Sequence, residues 1–171
     1  MNPYVVIDIG GTSIKYGLAD AKGQLLETHE MPTEAQKGGP HILNTTKEIV
    51  ARYLKKHPLA GVAISSAGMV DPDKGEIFYA GPQIPNYAGT QFKKEIEETF
   101  QIPCEIENDV NCAGLAEVTT GHAKGSNNAV CLTIGTGIGG CLLLDGQVFH
   151  GFSNSAVRLA IFICQTVPFR I

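Results

Sequence analysis

The chain has 171 residues, with 13 Lys and Arg against 17 Asp and Glu, a formal charge of -4. That length suits one domain with a real core, or two small ones. The acidic balance leaves no basic excess for neutralising phosphates, which argues against a general nucleic-acid or anionic-membrane binder. A hydrophobic content of 43% with 18% charged residues fits a globular chain and not a disordered one. No apolar run approaches the ~18 residues of a membrane span. The start of the chain lacks a basic segment and meets Asp8 too early for a signal peptide. The five cysteines, Cys104, Cys112, Cys131, Cys141 and Cys164, show no CxxC or metal-ligand spacing. Buried free thiols in a reducing cytoplasm are therefore expected, and no zinc site.

In chain order, Tyr4 to Ile9 reads as a buried strand carrying Asp8 near its end. Gly10, Gly11 and Thr12 form a turn into a second strand, Ile14 to Ala19. Lys22-Gly23 turns into a third, Gln24 to Met31. Pro40 to His57 places Ile42, Leu43, Ile49, Val50, Tyr53 and Leu54 at helical spacing, with Pro58 after its end. Leu59 to Ile64 is a strand opening into Ser65-Ser66-Ala67-Gly68. Residues 71–89, rich in Gly and Pro, read as an irregular loop. Thr90 to Phe100 reads as a helix, Ile102 to Ile106 as a short strand, and Val110 to Thr120 as a helix capped by Asn108 or Asp109. Two more strands, Ala129 to Ile134 and Ile138 to Leu144, flank Gly135-Thr136-Gly137.

Four clusters carry chemistry. The first is Asp8-Ile9-Gly10-Gly11-Thr12 with Lys15 nearby. Glycines after a strand let consecutive N–H groups face a phosphate. Thr12 adds a hydroxyl, Lys15 a charge, and Asp8 an oxygen ligand for hydrated Mg2+. The local residues also fit an ordinary glycine hairpin. No P-loop is present, since GxxxxGK[ST] is absent. The second cluster, around Gly135, Thr136 and Gly137, is another strand–glycine–strand corner. It is not a dinucleotide fingerprint, because a strand follows it instead of a helix. The third is Glu107-Asn108-Asp109, where a carboxylate beside an amide can take a hydroxyl proton while the amide hydrogen-bonds a polyol. A helix cap with a surface acid is the plainer reading of the same residues. The fourth comprises Asn86 in its loop and the small residues around Gly68, which permit close approach of a ligand.

The order and spacing of these motifs over Tyr4 to about Ala156 resemble the ROK family (repressor, open reading frame, kinase). The residues that carry the resemblance are Asp8-Ile9-Gly10-Gly11-Thr12, Ala67-Gly68-Met69-Val70-Asp71, Pro85-Asn86, Glu107-Asn108-Asp109-Val110-Asn111-Cys112-Ala113 and Leu132 to Gly140. The resemblance implies an α/β chain of the ribonuclease-H-like, actin-like ATPase fold. Residues 1–120 would form the N-terminal lobe and 121–156 the start of the second lobe. It also implies ATP-dependent phosphorylation of a hexose hydroxyl, with sugar and ATP as the small-molecule partners and no nucleic acid or membrane. Asp109 would be the catalytic base. Asn108, Asn86 and Gly68 would contact the sugar along with Asp109. Gly10, Gly11, Thr12, Lys15, Gly135, Thr136 and Gly137 would line the ATP phosphates, and Asp8 would hold Mg2+ through water. The other members of the resemblance are a ROK transcriptional regulator and an actin-like ATPase domain with no sugar substrate.

The resemblance stops near Ala156. ROK kinases run to roughly 300 residues in two lobes, in keeping with the size at which single cores divide. They continue with Gly-Glu-(Ile/Val)-Gly-(His/Tyr) and a cysteine-rich zinc motif, and their homodimer contacts lie largely in that later part. Here the chain reads Val157-Arg158-Leu159-Ala160-Ile161 and stops at Ile171. One extra G before the codons for those five residues permits GGT-GAG-GTT-GGC-(T/C)AT, which spells the absent motif. Residues 157–171 are therefore expected to be an out-of-frame tail, the gene having lost one base after the codon for Ala156. The 171-residue product is expected to be inactive and to lack the family zinc site.

Overall fold

A computed structural model describes residues 2–134, 138–152 and 154. In chain order its elements are β1 (Tyr4–Ile9), β2 (Ser13–Ala19), β3 (Leu25–Pro32), a short 3-10 turn (Ala35–Lys37), α1 (Gly39–Leu54), β4 (Gly61–Ser66), β5 (Met69–Asp71) and β6 (Glu76–Tyr79). They continue with α2 (Phe92–Phe100), β7 (Cys104–Asn108), α3 (Asp109–Thr119), β8 (Ala129–Ile134), β9 (Ile138–Leu144) and β10 (Gln147–Val148). The chain divides into two compact units between Asn108 and Asp109, so α3 groups with β8–β10.

The first unit is built on a five-stranded sheet in the order β3-β2-β1-β4-β7. β1 to β3 form an antiparallel meander, and β1, β4 and β7 run parallel. The period-two pattern of β1 sends Val5, Ile7 and Ile9 inward while Tyr4 and Asp8 stay exposed. The helices cover that apolar face. α1 buries Ile42, Thr46, Ile49, Val50 and Tyr53 at steps of three and four, and α2 buries Phe92 and Ile96. Pro40 stands in the first turn of α1, where its missing N–H costs nothing. The buried apolar side chains of both helices join one core with Val62, Ile64 and Ile106 from the parallel strands.

Residues 71–89 are not wholly irregular, contrary to the expectation. β5 and β6 pair as an antiparallel ribbon, with Val70 opposite Ile77 and both buried. The two strands hold only three and four residues, so the surrounding Gly and Pro outweigh their alternation. The turn between them is closed by Asp71 Oδ1, which accepts from Lys74 N–H at 3.1 Å, and by Gly75 at φ +68°.

The second unit has the sheet order β10-β9-β8, with α3 packed on β8 and β9. A Cβ on Gly114 of α3 would come within 2.6 Å of Cys141 Sγ, so only glycine lets helix and strand approach this closely. β10 has no counterpart among the sequence expectations. Its hairpin turns on Asp145 and Gly146, both at positive φ, and Asp-Gly is the dipeptide such turns favour. Among the described residues no helix is long and apolar enough to cross a membrane.

Candidate functional site

Parallel pairing decides what lies together. Asp8 pairs with Ser65 and Ser65 with Glu107; one step on, Ile9 pairs with Ser66 and Ser66 with Asn108. The C-terminal ends of β1, β4 and β7 therefore form one edge, the place where open α/β sheets receive ligands. Ser65 Oγ donates to Asp8 Oδ1 at 2.7 Å. Lys15 of β2 faces Asp8 in register, and both are exposed. Among the described residues no group of three or more His, Cys, Asp or Glu converges. A single exposed carboxylate fits a magnesium ion that keeps most of its waters, since Mg2+ surrenders its hydration shell reluctantly.

The corner between β1 and β2 closes when Gly10 N–H donates to Ser13 O at 3.0 Å. Neither Gly10 nor Gly11 has a positive φ, so left-handed geometry does not explain them. A Cβ on Gly10 would meet Ser13 O at 3.1 Å, whereas one on Gly11 would meet nothing within 4 Å. At Gly10 the turn is tight enough that Ser13 O would have to give way to a Cβ. Gly11 borders open space, so neither a close contact nor a positive φ demands glycine there.

On the other side of the same edge, Asn108 Nδ2 donates to Gly68 O at 2.8 Å. Gly68 has φ +96°, and a Cβ there would lie 3.1 Å from Tyr79 O, so any side chain at this position is strained. Asn108 N–H is held by Glu107 Oε1 at 2.6 Å. Asp109 follows, exposed at the start of α3, with its Oδ1 accepting from Val110 N–H at 2.9 Å. The edge thus combines an exposed carboxylate, an open glycine corner and an amide–carbonyl pair.

The ROK family profile matches residues 4–157. The chain belongs to the ROK family. It is 54% identical over 156 residues to an uncharacterized protein of Clostridium perfringens, covering 91% of this chain and 53% of that protein. It is 31% identical over 160 residues to a glucokinase of Halalkalibacterium halodurans, covering 90% of this chain and 47% of the glucokinase. Its fold superposes with a TM-score of 0.78 on a ROK family glucokinase from Streptomyces griseus solved in complex with glucose and AMPPNP, at 29% identity, covering 91% of this chain and 48% of that one. The chain spans about half the length of these relatives, and its α/β fold is the actin-like ATPase fold of ROK sugar kinases.

In this ROK chain the remaining expected residues are placed less directly. Asn86 is exposed at φ +53°. Its side chain borders a shallow open groove with Pro40, Leu43, Thr90 and Glu95. Its tie to the strand edge runs through its neighbour: the Tyr87 hydroxyl, 1% exposed, hydrogen-bonds Ser66 Oγ at 2.6 Å. Gly39 N–H donates to Pro85 O at 2.9 Å and anchors the same loop to the start of α1. Gly135, Thr136 and Gly137 lie outside the described residues, as does the tail 157–171. The strands that flank the second glycine corner are described, and they pair Ile134 with Ile138.

Two supporting residues escaped the sequence reading. Ser65 orients Asp8 as described above. Thr33, just beyond β3 and 1% exposed, pins the first glycine corner from beneath. Its Oγ1 donates to Gly10 O at 2.6 Å and its N–H to Thr12 O at 3.0 Å. Both carbonyls are thereby held by Thr33, which fixes the shape of the turn. A lone Thr between Pro32 and Glu34 gives no local signal. Only the pairing of Ser13 with Pro32 brings it under the turn.

Proposed function

We propose that this sequence encodes an ATP-dependent kinase of a sugar hydroxyl. The Asn108–Gly68 hydrogen bond carries this reading, because it fixes two sugar-facing candidates at the strand edge that also presents Asp8. A sugar hydroxyl oxygen attacks the γ-phosphorus of ATP. The new O–P bond forms as the bond to the ADP oxygen breaks, and the hydroxyl proton passes to Asp109. Asn108 and Asn86 orient neighbouring hydroxyls beside the bare edge of Gly68. The N–H groups of Gly11 and Thr12, with Lys15, take phosphate oxygens at the turn that Gly10 closes, and Gly135, Thr136 and Gly137 serve the same end from the second corner. Bound Mg2+ supplies charge neutralisation at the phosphates, and Asp8, oriented by Ser65, holds its waters. Such a reaction needs positioning and neutral charge more than covalent chemistry. The work is placed in the cytoplasm, where ATP is at hand.

The 171-residue chain itself is a truncated product without turnover, in this reading. Support comes from the family match, which ends at residue 157, and from relatives with about as much chain again. The nucleotide sequence after the Ala156 codon tests the frame directly; a junction that one inserted base does not restore to Gly-Glu-(Ile/Val)-Gly rules the frame loss out. Release of ADP, measured with and without a panel of hexoses, tests the rest. The 171-residue chain is expected to show no sugar-dependent release, and the frame-restored protein to show it. Asp109→Asn in the restored protein should lower kcat by about 10^2–10^4. ATP hydrolysis indifferent to every sugar would refute the sugar reading, and robust turnover by the short chain would refute its inactivity.

A further inference from the structure

Two cysteines face each other across the sheet of the second unit. β8 pairs antiparallel with β9, and Cys131 stands directly opposite Cys141. Both are thiols, and both lie on the face that α3 covers. A Cβ on Gly114 of α3 would come within 2.6 Å of Cys141 Sγ, and one on Gly139 within 2.6 Å of Val110 Cγ2 and 2.7 Å of Thr133 Oγ1. Thr133 is thus on the helix side of β8, and Cys131, two residues earlier, shares that side. Directly opposed residues of an antiparallel pair have Cα atoms about 4.5 or 5.5 Å apart, according to whether they exchange hydrogen bonds. Both spacings fall within the range of about 4.4–6.8 Å that a disulfide spans. Their Cβ atoms, about 4.5–5.5 Å apart in such pairs, need to draw in by about 1 Å to reach disulfide spacing. Gly114 places no side chain over Cys141 to oppose that movement. Cys112 is midway between Val110 and Gly114, so it is about half a turn round α3 from the residues that meet the sheet.

The two thiols differ in access. Cys141 is 1% exposed, whereas Cys131 is half-buried. We propose that Cys131 and Cys141 form a thiol–disulfide modification site whose oxidant is a small-molecule disulfide. The Cys131 thiolate attacks one sulfur of the oxidant, the oxidant's S–S bond breaks, and one thiolate departs, leaving a mixed disulfide on Cys131. Cys141 gives up its proton, its sulfur attacks Cys131 Sγ, and the second small thiolate departs as the protein S–S bond forms. The protein loses two electrons and two protons, and the two released thiols carry both. Disulfides of this kind in a reducing compartment are transient and redox-sensing. The bond ties β8 to β9 below the Ile134–Ile138 pair that flanks the second glycine corner, and limits how far those strands can part. Strand register alone supports the site, which is independent of the sugar-kinase reading.

The test uses the purified 171-residue chain. It is incubated with glutathione disulfide, unfolded in the presence of N-ethylmaleimide and digested with trypsin. No Lys or Arg lies between Lys124 and Arg158, so one peptide holds both cysteines. That peptide is expected to be lighter by two hydrogen atoms and to carry no maleimide. Reduction with dithiothreitol before blocking should restore both labels. Cys112→Ser should close as wild type does. Cys141→Ala should trap glutathione on Cys131, and Cys131→Ser should leave Cys141 an unmodified thiol. Oxidation in urea serves as the reference for a chain without register, in which the cysteines pair indiscriminately. Four results would overturn the proposal: two maleimide labels on the peptide after oxidation, glutathione retained on Cys131 of the wild type, a bond from either cysteine to Cys112, or the same mixture of pairings with and without urea.

Discussion

Thr33 offers a direct test of how the first glycine corner is held. Thr33→Val keeps the shape and the methyl group and removes one hydroxyl, the donor to Gly10 O at 2.6 Å. The site is 1% exposed, so water cannot readily replace the lost donor and no new cavity opens. The expected cost is that of a buried carbonyl left without its partner, about 1–3 kcal/mol. Thr33→Ser keeps the donor and loses a methyl group, about 0.8 kcal/mol. In urea, at a slope of about 1–3 kcal/mol per molar, the valine variant should unfold about 0.3–3 M earlier than wild type. Amide exchange at residues 10–13 should quicken in the valine variant and stay near wild type in the serine one. A valine midpoint equal to wild type, or a serine variant that is the more damaged of the two, would refute the view that this hydroxyl holds the turn.

Further consequences can be measured on the same chain. Gly68→Ala must hold a side chain at φ +96° with its Cβ 3.1 Å from Tyr79 O; a loss of about 1–3 kcal/mol is expected by thermal unfolding, and an unchanged melting temperature would contradict the strain argument. Lys47 Nζ lies 2.6 Å from Glu95 Oε2 and joins α1 to α2. That hydrogen bond holds the Glu95 carboxyl below the ordinary carboxylate range. A depressed carboxylate stabilises the fold above its unfolded pKa and loses that contribution as pH falls through the folded value. Lys47→Ala should therefore cost under about 1 kcal/mol at neutral pH, both groups being partly exposed, and the gap to wild type should close on acidification. A gap that widens in acid would invert the assignment. Burial pushes the Cys104 thiol up to about 12, so a thiol reagent should label it only after unfolding. Prompt labelling of Cys104 in the native chain would show that β7 is less enclosed than its core position implies.

Much of this protein is legible along the chain because the signals are local. The apolar run of Tyr4 to Ile9, the helical spacing from Ile42 to Tyr53 and the glycine corner at residues 10–11 each declare themselves within a few residues. So does the order of motifs that marks the family. The β5–β6 ribbon escaped because strands of three and four residues give too few alternations to stand out from their Gly and Pro neighbours. Asp145-Gly146 carried a hairpin signal that could have revealed β10. The functional edge is a different matter. Ser65 reaches Asp8 from 57 residues away, Asn108 reaches Gly68 across 40, and Thr33 reaches Gly10 across 23. No window of sequence contains both members of any of these pairs. They meet because β1, β4 and β7 run parallel with their C-terminal ends aligned and β3 returns beneath the first corner. The sequence by itself determined the family and nominated residues whose chemistry suits phosphates and sugars. Only the tertiary structure decided which of them share an edge, because register and strand direction are set by burial of the whole apolar face.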